Sequence, residues 1–185
     1  MRGACPNVSG MRRTARLPLP LLLIALVLVG CTPSDPMPTP PPTPSTAPVF
    51  ASDEEALAAA EEAYGEYLAA ADEVIRGGGL QPELVKTYLS AELYERDEES
   101  FKQFAENGWF GVGRATFTMH LQRYDERALT AYVCDDFSET DVLNADGQSV
   151  VAAERQTRIP YEVEFSVVDD MLIVRKELWS GEGIC

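Results

Sequence analysis

The stretch Gly113-Arg114-Ala115-Thr116-Phe117-Thr118-Met119-His120-Leu121-Gln122 is where the chain changes period. Ala115, Phe117, Met119 and Leu121 alternate with Thr116, Thr118, His120 and Gln122, so in extended backbone the apolar set faces one way and the polar set the other. That is a half-buried strand. Residues before it, back to Ser52, recur at helical intervals, and residues after it return to period two. The domain is therefore α+β, with helices first and then an antiparallel sheet on which they pack.

Working upstream, Ser52-Asp53-Glu54-Glu55 reads as a capping box, with the Ser52 hydroxyl accepting from the Glu55 amide and the Glu55 carboxylate returning to the Ser52 amide. Leu57, Ala60, Tyr64, Tyr67, Leu68, Ala71, Val74 and Ile75 then form one apolar stripe over Ser52 to Arg76, and Gly77-Gly78-Gly79 ends it. Pro82 suits the first turn of a short second helix carrying Leu84, Val85, Tyr88 and Leu89. A third helix from about Leu93 to Ala105 places Tyr94, Phe101 and Phe104 inward and stops at Asn107-Gly108.

Working downstream, Arg127 to Asp135 forms a second strand joined to the first by a tight turn at Asp125-Glu126, and Asp146-Gly147 marks a later turn. Tyr161, Val163, Phe165 and Val167 alternate in a third long strand. Asp169-Asp170 links it to a fourth from Met171 to Trp179.

The N-terminal 48 residues have a different character. Arg12, Arg13 and Arg16 precede an apolar run, Leu21 to Val29, too short to cross roughly 30 Å of hydrocarbon as a helix but suited to the core of an export signal. The run ends Leu28-Val29-Gly30-Cys31, which resembles the bacterial lipobox at all four positions. The resemblance implies that residues 1–30 are a signal peptide, that the Cys31 thiol takes a diacylglyceryl group, and that cleavage leaves Cys31 as the mature N-terminus. Met11 begins a signal of ordinary proportions by itself, so Met1 to Gly10, with Cys5, reads as an upstream start. From Thr32 to Pro48 proline is too frequent for helix or sheet. Residues 31–49 thus form a lipidated, extended linker reaching roughly 50 Å, and residues 50–185 form a single domain.

The order of elements resembles the nuclear transport factor 2-like fold, also called SnoaL-like, in which a curved sheet wraps helices into a cone. The likeness rests on the long helix Ser52 to Arg76, the Trp109-Phe110-Gly111 lead-in to the sheet, and the closing strand ending at Trp179. The chain also resembles small actinobacterial lipoproteins with a Val-Cys-x-Asp sheet motif, here Val133-Cys134-Asp135-Asp136, before a terminal Trp and Cys. Such a cone implies a mouth lined by Tyr64, Tyr67, Tyr88, Trp109 and Phe110, with His120 as the pocket's titratable group.

Cys31 is committed to lipid and Cys5 precedes it, which leaves Cys134 and Cys185 as the free thiols of an exported domain. An even pair in that compartment points to a disulfide. A metal site or a reactive thiol is the alternative, and there is no cysteine–histidine cluster to support either.

Chemistry, if present, must use the one histidine, His120, with Glu162 or Glu164 as partner carboxylates on a neighbouring strand. Asp135, Asp136, Glu139 and Asp141 gather acids but lack the Asp-x-Asp-x-Asp-Gly spacing of a calcium loop, so a solvated acidic loop is the reading. No nucleophile elbow, phosphate-binding glycine loop or zinc signature occurs, and no motif calls for a cofactor or metal. Loss of the signal takes the net charge of −15 to −19, because Arg2, Arg12, Arg13 and Arg16 all precede Cys31 and no acid does. That surface repels phosphate backbones, so nucleic acid is excluded as a partner. The expected function is a non-catalytic, membrane-anchored envelope module that binds a small apolar ligand or another envelope protein. The alternatives are an acid–base enzyme working through His120 and a ligand-free structural accessory.

Overall fold

Helix α1, Asp53–Arg76, begins where the sequence places it: Ser52 is extended and its Oγ accepts from the Glu55 amide at 3.2 Å. The return bond goes one residue further back than expected, from the Ala51 amide to Glu55 Oε2 at 2.8 Å. Acids fill the first turn and Arg76 the last, matching the helix dipole. The computed structural model describes residues 49–125, 127–168 and 171–185. The segment expected to be a signal, Cys31, the proline-rich stretch, Glu126 and Asp169-Asp170 lie outside these.

The chain leaves α1 through Gly78 and Gly79, both at positive φ. A Cβ on Gly79 would lie 2.0 Å from the carbonyl oxygen of Phe101, so only glycine lets helix α2, Ala91–Asn107, cross here. Between them Pro82–Tyr88 is a 3-10 helix rather than the expected α-helical turn. The reason is local and tertiary together. Gln81 offers no side-chain cap, and the segment must straighten at once so that Leu89 can bridge Ile173 and the Ser90 amide can donate to the Ile173 carbonyl at 2.9 Å. Ser90 then caps α2, and Gly108 ends it in the left-handed region. Phe101 is buried as expected, whereas Tyr94 and Phe104 are only half-buried.

Among the described residues six strands follow: β1 Phe110–Gly113, β2 Thr116–Tyr124, β3 Ala128–Asp136, β4 Thr140–Leu143, β5 Arg158–Ser166 and β6 Leu172–Leu178. β2, β3, β5 and β6 form a four-stranded antiparallel meander in that order. The expected lead-in at Trp109-Phe110-Gly111 instead opens a separate two-stranded ribbon, β1 with β4. Gly113 makes the corner between ribbon and sheet at φ 84°, where a Cβ would sit 1.9 Å from the Glu139 carbonyl oxygen.

Register assigns the two faces. Met119 pairs Val133, Ala131 pairs Val163 and Leu129 pairs Phe165, and this inward set packs with Ala60, Tyr64, Leu68 and Val74 of α1 in one core. The core is filled: Tyr64, Leu129, Val133, Val163 and Phe165 are fully buried. Two bulges interrupt the outer strands, at Gln122 in β2 and at Val174 in β6.

Candidate binding surface

The residues expected to line one mouth do not converge. Tyr64 and Tyr67 do meet, with ring centroids 5.8 Å apart on the inward side of α1. Tyr88 is half-buried against the core from the 3-10 helix. Trp109 stands edge-on to Phe104 at the end of α2, and Phe110 begins β1. His120 is exposed on the opposite face of the sheet, beside Tyr132. Its outward position follows from the alternation that places Phe117, Met119 and Leu121 inward, which already sets His120 with Thr116, Thr118 and Gln122 on the polar face as a surface residue.

Around the two tyrosines the inner face carries a polar cluster, at the edge of a recess lined by Tyr67, Arg96, Asp97, Tyr161 and Lys176. Asp135, at the end of β3, is 0% exposed, and both its oxygens accept from the Tyr64 phenol at 2.9 Å. Lys176 of β6 brings its ammonium to 2.8 Å from Asp135 Oδ2. The same ammonium lies 4.4, 5.0 and 5.4 Å from the ring centroids of Tyr161, Tyr64 and Tyr67. Tyr67 donates to Asp97 of α2 at 2.8 Å. Burial, and then the neighbouring carboxylate charges, push the Tyr64 and Tyr67 phenols well above their ordinary range. A buried carboxylate requires a partner, and here the partner is a lysine that also fills the space between three aromatic rings.

The outer face is organised differently. It carries Thr118, His120, Gln122 and Arg123 from β2, Thr130 and Tyr132 from β3, Glu162 and Glu164 from β5, and Arg175 and Glu177 from β6. Arg175 donates from Nη2 to Glu162 Oε1 at 2.9 Å and to Glu164 Oε2 at 3.1 Å, and from Nη1 to Glu177 Oε2 at 3.3 Å. Glu162 first, and then Glu164, hold the guanidinium above its usual range. Gln122 donates to the Tyr132 hydroxyl and, at 3.5 Å, to Glu162. A recess of about 460 Å3 opens among Gln122, Arg123, Thr130, Glu162 and Arg175. Glu162 and Glu164, considered in the sequence as partners of His120, are on β5 with β3 between them and β2, and both bond to Arg175.

One end of this face is pinned by covalent chemistry. Cys134 and Cys185 form a disulfide across 51 positions with Cα atoms 5.3 Å apart. The Trp179 ring leans on Tyr132, centroids 4.6 Å apart, and the Trp179 amide donates to the Pro160 carbonyl at 2.9 Å.

The acids after β3 disperse. Asp135 turns into the core, Asp136 accepts from the Ser138 amide and lies 3.6 Å from Arg158, and Asp141 accepts from the Ser149 hydroxyl. Among the described residues no group of three or more metal-ligating side chains converges, and no helix is long and apolar enough to cross a membrane.

No protein-family model matches the chain, and no curated protein is significantly similar to it. Among solved structures, it is similar to the intermembrane space region of the chloroplast protein ARC6, with 11% identity and a TM-score of 0.41 over 66% of this chain and 95% of that one. A de novo designed β-sheet protein shows 17% identity and a TM-score of 0.32 over 66% and 89% of the two chains. Both likenesses are too slight to bear on function.

Proposed function

We propose that this chain is a lipid-anchored, extracytoplasmic module of the bacterial cell envelope, and that its working surface is the outer face of the sheet. The observation that carries this reading is the Arg175 lattice. Charged side chains from β5 and β6 are fixed against one another on an open face, while the inner side of the same sheet packs on α1 over a filled core. Ordered polar groups on an uncovered surface suit recognition, because little side-chain freedom remains to be lost when a partner arrives.

The anchoring half of the reading rests on Leu28-Val29-Gly30-Cys31 and the proline-rich linker. The Cys134–Cys185 disulfide supports an oxidising compartment. The helices-then-meander order supports the likeness to the nuclear transport factor 2-like fold.

Metabolic labelling with an alkyne fatty acid tests the anchor. The wild-type chain should label and sediment with membranes, and the Cys31→Ser variant should do neither. A wild-type chain recovered unlabelled from the medium would refute the anchoring.

A further inference from the structure

Taking the outer face as the binding surface, we infer that its ligand is a neutral polyhydroxylated molecule, the chemistry of an envelope glycan. Four side chains cross the sheet at one level: register pairs Arg123 with Thr130, Thr130 with Glu164, and Glu164 with Arg175. The two bulges, one in each outer strand of the meander, flank this level, the β2 bulge on its Leu121 side and the β6 bulge on its Ile173 side. The bulge at Gln122 turns two successive residues, Gln122 and Arg123, onto one face, which regular pleating forbids. The recess between them is thus a built feature of the sheet.

Its chemistry alternates. Arg123 and the Gln122 amide offer donors, Glu162 and Glu164 offer acceptors, and the Thr130 hydroxyl can do either. A sugar hydroxyl both donates and accepts, so vicinal hydroxyls match such planar side chains, whereas a simple ion uses only half of them. Charge points the same way. Arg123 and Arg175 balance Glu162 and Glu164, and Glu177 adds one further acid beside Arg175, so an anion gains no net attraction here.

Thr130 supplies an independent observation. It lines the recess, it is 3% exposed, and its Oγ1 is a buried polar atom with no hydrogen-bond partner among the described residues. Buried hydroxyls are ordinarily satisfied, and a ligand hydroxyl seated between Arg123 and Arg175 would satisfy this one. Tyr132, with Trp179 leaning on it, adds an aromatic wall at the next level of the face.

The test is calorimetric titration of the full chain in detergent with neutral hexasaccharides, namely maltohexaose, cellohexaose, mannohexaose and arabinohexaose, beside a sulfated dextran. At least one neutral hexasaccharide should bind. Thr130→Val and Glu162→Gln should each weaken that binding by about tenfold with the thermal melt retained, and Glu62→Gln on the exposed side of α1 should leave it unchanged. Binding of none of the neutral sugars, binding of the sulfated polymer alone, or binding that ignores both face variants would overturn the inference. The broader reading of the face would fall separately, only if envelope material contacts the domain elsewhere.

Discussion

Replacing Lys176 by methionine isolates its ion pair with Asp135 on the inner side of the sheet. Methionine keeps most of the apolar stem among Tyr64, Tyr67 and Tyr161 but removes the ammonium. Asp135 then remains fully buried with only the Tyr64 phenol bonded to it. Removing one partner of a buried pair leaves an uncompensated charge, at a cost of about 3–5 kcal/mol. Three ring contacts at 4.4 to 5.4 Å belong to the same ammonium, so their roughly 0.5–1 kcal/mol apiece is part of that figure and is not added to it. Because an ordinary domain is stable by only about 5–15 kcal/mol, the variant should sit near the edge of folding. Asp135→Asn should cost less, since the Lys176 side chain is 12% exposed and its flexible stem can carry the charge outward. The double variant Asp135→Asn/Lys176→Met should recover at least about 2 kcal/mol relative to Lys176→Met alone, because no charge is left buried. Urea unfolding of the oxidised full chain measures all three. A single-variant loss below about 1 kcal/mol, or a double variant no better than the single, would refute the reasoning.

Two further outcomes follow from the same structure. Reduction of Cys134–Cys185, or Cys134→Ala/Cys185→Ala, reopens a loop of 51 positions and should lower stability by about 4 kcal/mol in the chain-entropy treatment; an unchanged urea midpoint would contradict it. Burial raises the Asp72 carboxyl above its ordinary 3.8 despite the Ala115 amide and the nearby Arg76 and Arg114. The folded state therefore holds this proton more tightly than the unfolded chain, and stability falls as pH rises through the interval between the two values. Asp72→Asn should then melt higher than wild type at neutral pH, with the gap closing below pH 3.8, and a gap that widens in acid would overturn this assignment.

Much of the fold was legible because local signals and tertiary demands agree. The Ser52 cap, the apolar stripe of α1, the glycines after Arg76 and the alternation from Ala115 to Leu121 all state what the structure contains. The Pro82 segment was misread because its geometry is set by Ile173, far along the chain. The β1–β4 ribbon was missed because four-residue strands carry too little alternation to register a period. Asp135 could have been placed inward by counting from Leu129, Ala131 and Val133. Lys176 could not, since the bulge at Val174 shifts the parity of β6 before it. The same two bulges hid the outer recess: Gln122 and Arg123 read as opposite faces in a regular strand, and Arg175 reads as an isolated surface charge until register sets it beside Glu164.

The central claim is that the outer sheet face is the surface this module uses. Amide resonances of the full chain in detergent, followed while purified cell-wall fragments are added, test it most directly. Line broadening confined to residues such as Thr118, Gln122, Thr130, Glu162, Glu164 and Arg175 is the predicted result, and broadening concentrated on α1 and α2 would contradict it.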